Sequence, residues 1–341
     1  MPLDPEAAAG PDAGIFGLDC SRADAQVVLL PVPFDATTSG RAGTVDGPGA
    51  ILRASHQVEL YDVQTGRPYT SGIHLLAEDP STRRDSELAR RLCAPLIQKG
   101  GATEEDADHV RKVDEICATV HARVRDTVAS ILHEDRLPGV VGGDHSVALG
   151  CLEAVAERHP GLGVLQVDAH ADLRTAFEGF RYSHASIMAN ALARVDGIAR
   201  LVQVGLRDVS EGEVRTAHED PRVFMHHDVL WRSRLAAGEP LGALFEEALA
   251  PLPGEVYVSF DIDGLLPSLC PNTGTPVPGG FSFQECCVLL QALVESGRRI
   301  VGFDLCEVAP GHDGQDWDGN VGARVLYKLC GFALRSRSGA F

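Results

Sequence analysis

The chain lacks the features of membrane-spanning, secreted and nucleic-acid-binding proteins. No run approaches ~18 uninterrupted apolar residues, so the sequence contains no candidate membrane span. Positive charge is scarce: 30 Lys and Arg stand against 48 Asp and Glu, a formal net charge of -18. Nucleic acid and anionic membranes are therefore disfavoured partners. The segment Met1–Glu6 has neither the basic nor the apolar region of a secretory signal, and we expect a cytoplasmic protein.

Cysteine is present, but not in a pattern that suggests disulfides or zinc. The nine cysteines are an odd number, and none forms a Cys-x-x-Cys pair. They stand mostly in apolar surroundings, which favours buried free thiols in a reducing compartment. The composition, 44% hydrophobic and 23% charged over 341 residues, is that of a globular protein with a sizeable core.

Strand-like and helix-like segments alternate from Ala25 onward. The strongest helical periodicity covers residues 105–134, and short apolar runs such as 138–142 and 255–261 read as strands. This alternation predicts an α/β fold with a central, mainly parallel sheet covered by helices on both faces. We expect residues 1–24 to form a flexible N-terminal arm and residues 25–341 a single catalytic domain. Residues 64–104 show no clear periodicity and are expected to be a peripheral excursion.

Acids and histidines follow three of the predicted strands. They are His145 after the first, Asp168, His170 and Asp172 after the second, and Asp261 and Asp263 after the third. In parallel sheets, ligands bind outside the carboxyl ends of the strands. Any one of these residues alone would be read as a helix cap or a core histidine. Four carboxylates and two imidazoles together would be repelled and desolvated unless cations held them.

This donor set predicts a dinuclear metal centre. Two divalent ions would almost completely offset four aspartates. Mixed Asp and His ligation without cysteine disfavours a structural zinc site and suits Mn²⁺, with Ni²⁺, Co²⁺ or Fe²⁺ as substitutes.

Three motifs resemble those of the ureohydrolase family, which includes arginase and agmatinase. They are Gly142-Gly143-Asp144-His145-Ser146, Asp168-Ala169-His170-Ala171-Asp172 and Ser259-Phe260-Asp261-Ile262-Asp263. The resemblance runs from about Pro31 to Leu334, and Tyr182-Ser183-His184 is most similar to agmatinase-type members. It implies a three-layer α/β/α fold, two Mn²⁺ per chain and hydrolysis of a guanidino group to urea and an amine. It also implies a homo-oligomer, a trimer or a hexamer.

The resemblance assigns a role to each site residue. One metal would be held by His145, Asp168, Asp172 and Asp261, and the other by Asp168, His170, Asp261 and Asp263, with Asp168 and Asp261 bridging. His184 would transfer protons, for which an imidazole is suited near neutral pH. Glu307 would pair with the substrate guanidinium, whose geometry matches a carboxylate. A surface acid at a strand end is the alternative for Glu307.

Two departures from the family pattern bear on the substrate. Leu266 stands where the family usually has an aspartate, so a loop-bracing interaction is expected to be missing. Arg174 stands where arginases have an asparagine that helps to hold the substrate carboxylate. Arg174 could bind a carboxylate-bearing substrate, face solvent or pair with Glu178, four residues on if the stretch is helical.

From these features we expect agmatine as the first candidate substrate, which would place the enzyme in polyamine metabolism. Arginase, guanidinobutyrase, guanidine hydrolase and formiminoglutamase activities remain open. Zinc deacetylases share the general fold but use one metal, which the set of six ligands disfavours. A non-catalytic, metal-held binding protein is disfavoured because His184 and Glu307 are both retained.

Overall fold

One parallel sheet of eight strands forms the centre of the molecule. The computed structural model describes residues 5–10, 13–311 and 316–338. The strands are β1 (Val27–Val32), β2 (Ile73–Leu75), β3 (Leu137–Gly142), β4 (Leu162–Val167), β5 (Ile198–Leu206), β6 (Val223–His227), β7 (Glu255–Asp261) and β8 (Arg299–Cys306). Their order is β2-β1-β3-β8-β7-β4-β5-β6, and each neighbouring pair is parallel. Strands β3 and β4 are buried at every position, as expected when both faces of a sheet are covered.

Ten helices in the described residues cover the two faces. They are α1 (Gly47–Ser55), α2 (Pro80–Gln98), α3 (Ala107–His133), α4 (Ala148–Arg158), α5 (Ile187–Arg194), α6 (Glu211–Glu219), α7 (Asp228–Ala236), α8 (Leu241–Leu249), α9 (Phe283–Glu295) and α10 (Trp317–Ser338). Helices α1 and α7–α10 share one hydrophobic cluster with the sheet, and α2–α6 share the other. The predicted three-layer α/β/α architecture is confirmed.

Local sequence explains where several helices begin. Helix α6 starts at a capping box in which Ser210 and Glu213 each accept from the other's backbone N–H, and Ser282 and Glu285 do the same for α9. The helix predicted over 105–134 is α3, and its apolar stripe packs into the core.

The segment 64–104 is more ordered than the sequence suggested. It contains β2 and the 19-residue helix α2, whose residues Ala89, Cys93 and Leu96 are buried in the core. The expectation of a peripheral excursion is therefore wrong for α2. Its helical periodicity was obscured by four arginines, two of them exposed and two half-buried, while small and apolar residues face inward.

Part of the N-terminal segment packs against the core. Ile15, Phe16 and Leu18 are buried there, while residues 1–4 and 11–12 of the expected arm lie outside the described residues. All nine cysteines are free thiols and eight are buried. No described helix combines the length and the apolar character that crossing a bilayer requires.

The sheet order brings the predicted site residues to one edge. Strands β3, β8, β7 and β4 are consecutive neighbours, and the segments carrying His145, Glu307, Asp261 and Asp168 stand at their carboxyl ends. Gly143 allows this edge to close, because a Cβ there would lie 1.9 Å from the carbonyl oxygen of Phe34. The loop after β1 can therefore approach the end of β3 closely.

Candidate metal centre

A first group of ligand atoms surrounds Nδ1 of His145. This nitrogen lies 3.1 Å from a carboxylate oxygen of Asp168, 3.1 Å from one of Asp172 and 3.5 Å from one of Asp261. All four side chains are at least nine-tenths buried. Asp172 adopts φ +54°, a strained conformation for a non-glycine residue that often occurs at functional sites.

A second group surrounds Nδ1 of His170. It lies 3.1 Å from Oδ2 of Asp263 and 3.6 Å from Oδ1 of Asp168. Asp168 thus presents Oδ2 to the first group and Oδ1 to the second, and bridging by Asp168 stays a prediction. Asp261 contributes Oδ2 to the first group, while its Oδ1 accepts from the backbone N–H of Asp263 at 2.8 Å. Bridging by Asp261 stays a prediction.

Each of the two groups brings together residues of one expected ligand set, and the ligation itself stays a prediction. His145, Asp168 and Asp172 lie close enough together to hold one metal ion, and Asp168, His170 and Asp263 to hold another. The donors are hard carboxylate oxygens and imidazole nitrogens, the combination preferred by first-row divalent metals. The residues present therefore fit a binuclear centre.

The charged groups of the cluster shift one another's pKa values. Burial, reinforced by the charge of Asp168, raises the pKa of Asp172 to about 6. Burial alone would lower the pKa of His170, but the carboxylates of Asp263 and Asp168 outweigh it and raise the pKa to about 12. Without metal ions, the positive charge among the carboxylates comes from protonated imidazole rings.

A buried row of polar side chains supports the ligands from beneath. Gln203, Gln166, Ser259 and Asp304 are paired across β5, β4, β7 and β8 in that order. Ser259 Oγ lies 2.8 Å from Nε2 of His145, with Oδ1 of Asp304 at 3.7 Å. Such contacts would orient Nδ1, the opposite ring nitrogen, toward a bound metal ion.

The sequence held a signal for this row. Gln166 and Ser259 stand two residues before Asp168 and Asp261 inside otherwise apolar strands, so they point to the same face. Gln166 Nε2 donates to Oδ2 of Asp168 at 2.7 Å. Polar residues in buried strands require partners, and the ligands and their neighbours are those partners.

His184 and Glu307 form a pair beside the metal ligands. Nδ1 of His184 lies 3.3 Å from Oε1 of Glu307, which also accepts from the backbone N–H of His145 at 3.0 Å. The other oxygen, Oε2, is buried and has no hydrogen-bond partner within the described residues. Glu307 adopts φ +64°, so its backbone is strained as well.

A cavity of ≈ 180 Å³ opens onto the cluster. Its wall is formed by Ser39, His170, Asp172, Arg174, Phe177, His184, Ala185, Asp208, Glu213, Asp261 and Thr275. Glu307 is not part of this wall and contacts His184, which is. The sequence analysis did not identify Ser39, Phe177, Asp208 or Glu213 as part of the site.

Arg174 lies at the outer end of the cavity. Its guanidinium stacks over the ring of Phe177, 4.8 Å from the centroid, and its Nε lies 3.8 Å from Oε2 of Glu213. The alternative in which Arg174 pairs with Glu178 is wrong. The stretch is not helical, and Glu178 has φ +52°, so the two side chains are not on one helix face.

The loop that carries Leu266 is braced by an arginine. The guanidinium of Arg207 donates to the carbonyl oxygens of Asp263, Leu265 and Val277. The backbone N–H of Leu266 also donates to the carbonyl oxygen of Phe281 at 2.8 Å. The loop is therefore held without an aspartate at position 266.

The chain is similar to known proteins over most of its length. The model of the Arginase family matches residues 25–331. The N(1)-aminopropylagmatine ureohydrolase of Thermus thermophilus is 32% identical over 319 residues, 93% of this chain and 94% of the relative. The agmatinase of Bacillus cereus is 30% identical over 294 residues, 86% and 87% of the two chains. The arginase structure from Bacillus subtilis is similar with a TM-score of 0.66 and 26% identity, covering 89% of this chain and 98% of that one.

Proposed function

Because the chain belongs to the arginase family, we propose that it hydrolyses agmatine or a closely similar guanidino compound to urea and an amine. The observation that carries this proposal is the shared carboxylate of Asp168 between two imidazole-containing ligand groups, with the His184–Glu307 pair beside them. Each of the three parts serves one need of the reaction.

The first need is a nucleophile, because a guanidinium carbon is resonance-stabilised and reacts poorly with water. We propose two Mn²⁺ per chain, one held by His145, Asp168, Asp172 and Asp261 and the other by Asp168, His170, Asp261 and Asp263. Two bound divalent ions supply an acidified water at neutral pH. The protein's own part is to fix the ligand atoms, as the polar row beneath His145 does.

The second need is to hold the guanidinium. We assign this to Glu307, whose Oε2 is buried and lacks a partner in the described structure. A buried, unpaired carboxylate oxygen is costly and is stabilised by a cationic donor. His184 lines the cavity and contacts Glu307, so we assign both side chains to the same end of the substrate.

The third need is a proton for the amine that leaves. His184 is placed for this, since it lies in the cavity wall beside the ligand cluster. Burial alone would lower the pKa of His184, but the contact with Glu307 outweighs it and the pKa is raised. A protonated fraction is therefore available near neutral pH.

The tail of the substrate is selected at the outer end of the cavity. Asp208 is 71% exposed there, and its carboxylate, which lies 4.0 Å from Nε2 of His170, adds negative charge to the cavity. The buried carboxylate of Glu213 is already used by the backbone N–H groups of Leu173 and Ser210. A cationic tail, as in agmatine, suits this acidic rim.

A guanidino acid such as guanidinobutyrate is the second candidate. It is favoured by Arg174, the only basic side chain other than histidine in the cavity wall among the described residues. The guanidinium of Arg174 is held by one long contact to Glu213 and by Phe177, so it has donors to spare.

A screen for urea release tests the proposal. The protein is loaded with Mn²⁺, Ni²⁺ or Co²⁺ and offered agmatine, N(1)-aminopropylagmatine, guanidinobutyrate, L-arginine and guanidine. We expect Mn²⁺ to support activity and kcat/KM to be highest for agmatine. Absence of urea from every compound with every metal would contradict the proposed function. Light scattering on the same preparation tests the proposed trimer or hexamer.

A further inference from the structure

The loop between β1 and α1 forms one wall of the cavity and has no role in the scheme above. Residues 33–43 are held at several points. Asp35 closes the loop by accepting from the backbone N–H of Gly43 at 2.9 Å. Arg90 of α2 donates to the carbonyl oxygen of Thr38 at 2.6 Å. These contacts fix the position of Ser39, which follows Thr38 and lines the cavity.

The backbone N–H and the hydroxyl of Ser39 both contact His184. The backbone N–H of Ser39 donates to Nε2 of His184 at 3.3 Å, and Oγ lies 3.0 Å from the same nitrogen. The next residue, Gly40, packs so closely on Gly274 that a Cβ would lie 2.3 Å from its carbonyl oxygen. The loop has little freedom to withdraw from the imidazole.

This contact determines the tautomer of His184. A backbone N–H can only donate, so Nε2 must carry the lone pair in the neutral ring. The proton then resides on Nδ1 and points to Oε1 of Glu307, 3.3 Å away. The two contacts together fix the ring orientation and leave Nε2 as the nitrogen that takes up and releases the exchangeable proton.

We propose that Ser39 is a positioning residue for His184, which keeps the imidazole in one tautomer and stabilises its protonated form through the serine hydroxyl. The inference rests on the proposed function of His184. A hydroxyl accepts as well as donates, so Oγ can satisfy Nε2 before and after protonation. The amide N–H can satisfy only the neutral ring.

The charged groups that act most strongly on His184 are acidic, although His170 and Arg174 share the cavity wall with it. The acidic groups are Glu307 after β8, Asp144 after β3 and Asp172 after β4, together with Glu178 in the loop before His184. These groups favour the protonated ring from three strands and one loop. The hydroxyl of Ser39 adds the acceptor that lies directly at Nε2, where a proton must be held before transfer.

The matched variants are Ser39→Ala, Ser39→Thr and a distant control, Ser233→Ala. Ser39→Ala keeps the backbone N–H and removes only the hydroxyl, and Ser39→Thr keeps the hydroxyl. Ser233 lies on α7, where its hydroxyl donates to a carbonyl one helical turn back at 2.9 Å. Each Mn²⁺-loaded variant is assayed with agmatine across pH, with bound metal measured in parallel. His184→Ala gives the activity that remains without the imidazole.

For Ser39→Ala we expect kcat to fall roughly three- to ten-fold, the scale of one lost hydrogen bond, with KM and metal content little changed. The limb of the pH profile due to protonated His184 should move to lower pH, because the imidazolium loses its acceptor at Nε2. Ser39→Thr should recover most of the activity, and Ser233→Ala should match the wild type.

A second measurement needs no turnover. Diethyl pyrocarbonate modifies unprotonated imidazole nitrogens, and peptide mass spectrometry gives the rate at His184 relative to exposed His218. Loss of the hydroxyl should speed modification of His184 several-fold. Unchanged kcat, pH profile and labelling rate in Ser39→Ala would overturn the inference while leaving the proposed function intact. Equal losses in Ser39→Ala and Ser39→Thr would also overturn it. If the wild type releases no urea, the proposed function fails and the labelling rate alone decides the role of Ser39.

Discussion

The inner and outer ends of the cavity are built in opposite ways. At the inner end, Asp168 and Asp263 come from the ends of strands and have side chains only 1% exposed. At the outer end, Arg174 and Asp208 come from loops and are 40% and 71% exposed. Buried charges act strongly and tolerate little change, whereas exposed charges are screened by water. We therefore propose that the inner end determines which reaction occurs and that the outer end determines which compound reacts.

The largest effect is expected from removing the shared carboxylate at the inner end. Asp168→Ala should abolish urea release and lower bound metal below two per chain, because each ligand group loses an oxygen. Asp208→Ala at the outer end should keep both metals. Elemental analysis and the urea assay give the comparison. Full activity without bound transition metal would contradict the metal assignment.

Glu307→Gln tests the side chain that lies beside the metal ligands and contacts His184. The change keeps the shape and removes the charge that we expect to meet the guanidinium. Activity should fall by roughly 10²-fold or more, the scale of a lost charge-stabilising group, while two metals stay bound. Wild-type kcat/KM in this variant would show that Glu307 does not pair with the substrate.

Metal removal should make the protein less stable as pH rises. In the metal-free chain the pKa of His170 is raised to about 12, so its stabilising contribution is full below about 6.5 and is lost toward 12. The pKa of Asp172 is raised to about 6, so the folded chain holds this proton more tightly than the unfolded chain does. The stability that this gives the metal-free protein is lost as pH rises from about 4 to about 6. Metal binding instead strengthens with pH, because protons must leave the ligands.

The Tm difference between Mn²⁺-loaded and chelated protein should consequently widen from about pH 5.5 to about pH 8. Thermal unfolding followed by circular dichroism measures it at each pH. A difference that stays constant or narrows would mean that the cluster is not the main proton-linked site. The Asp208→Ala protein should show the same widening, since Asp208 is not a ligand.

The inner end could be predicted from the sequence because strands and ligands occur in the same motifs. Apolar runs such as 255–261 marked strands to within a residue or two, and the aspartates follow them directly. Helix α7 gives little signal in the sequence, because it is short and Trp231 is its only buried apolar residue. The contact between Ser39 and His184 could not be predicted, since the two residues are 145 positions apart and both lie outside regular strands.

The outer end depends on how loops are placed relative to one another. Arg174 follows a recognisable motif, but its neighbour Glu213 comes from α6, where it also caps the helix. A capping box predicts the start of a helix and says nothing about a cavity 40 residues earlier in the chain. The loop residues at the outer end could therefore be identified only from the structure.

Arg174→Ala gives the smallest expected effect and the finest test of the comparison. The side chain is partly exposed and its ion pair with Glu213 is long, so its loss should leave the fold and the metals unchanged. If the tail of the substrate is cationic, kcat/KM for agmatine should change by no more than about three-fold, because screened charges at a rim contribute little. L-Arginine should remain the poorer substrate, since its carboxylate finds no asparagine at position 174.

The opposite result is expected if guanidinobutyrate, and not agmatine, is the substrate. Guanidinobutyrate has a carboxylate where agmatine has an ammonium, and the stacked guanidinium of Arg174 is suited to bind it bidentately. A selective loss of kcat/KM on guanidinobutyrate and L-arginine in Arg174→Ala, with agmatine unaffected, would show that the outer end was built for an acid and would refute the agmatine assignment. Arg174→Lys sharpens the result, because lysine keeps the charge and loses the planar fork. Recovery with lysine would indicate attraction by charge alone, and failure to recover would indicate bidentate recognition.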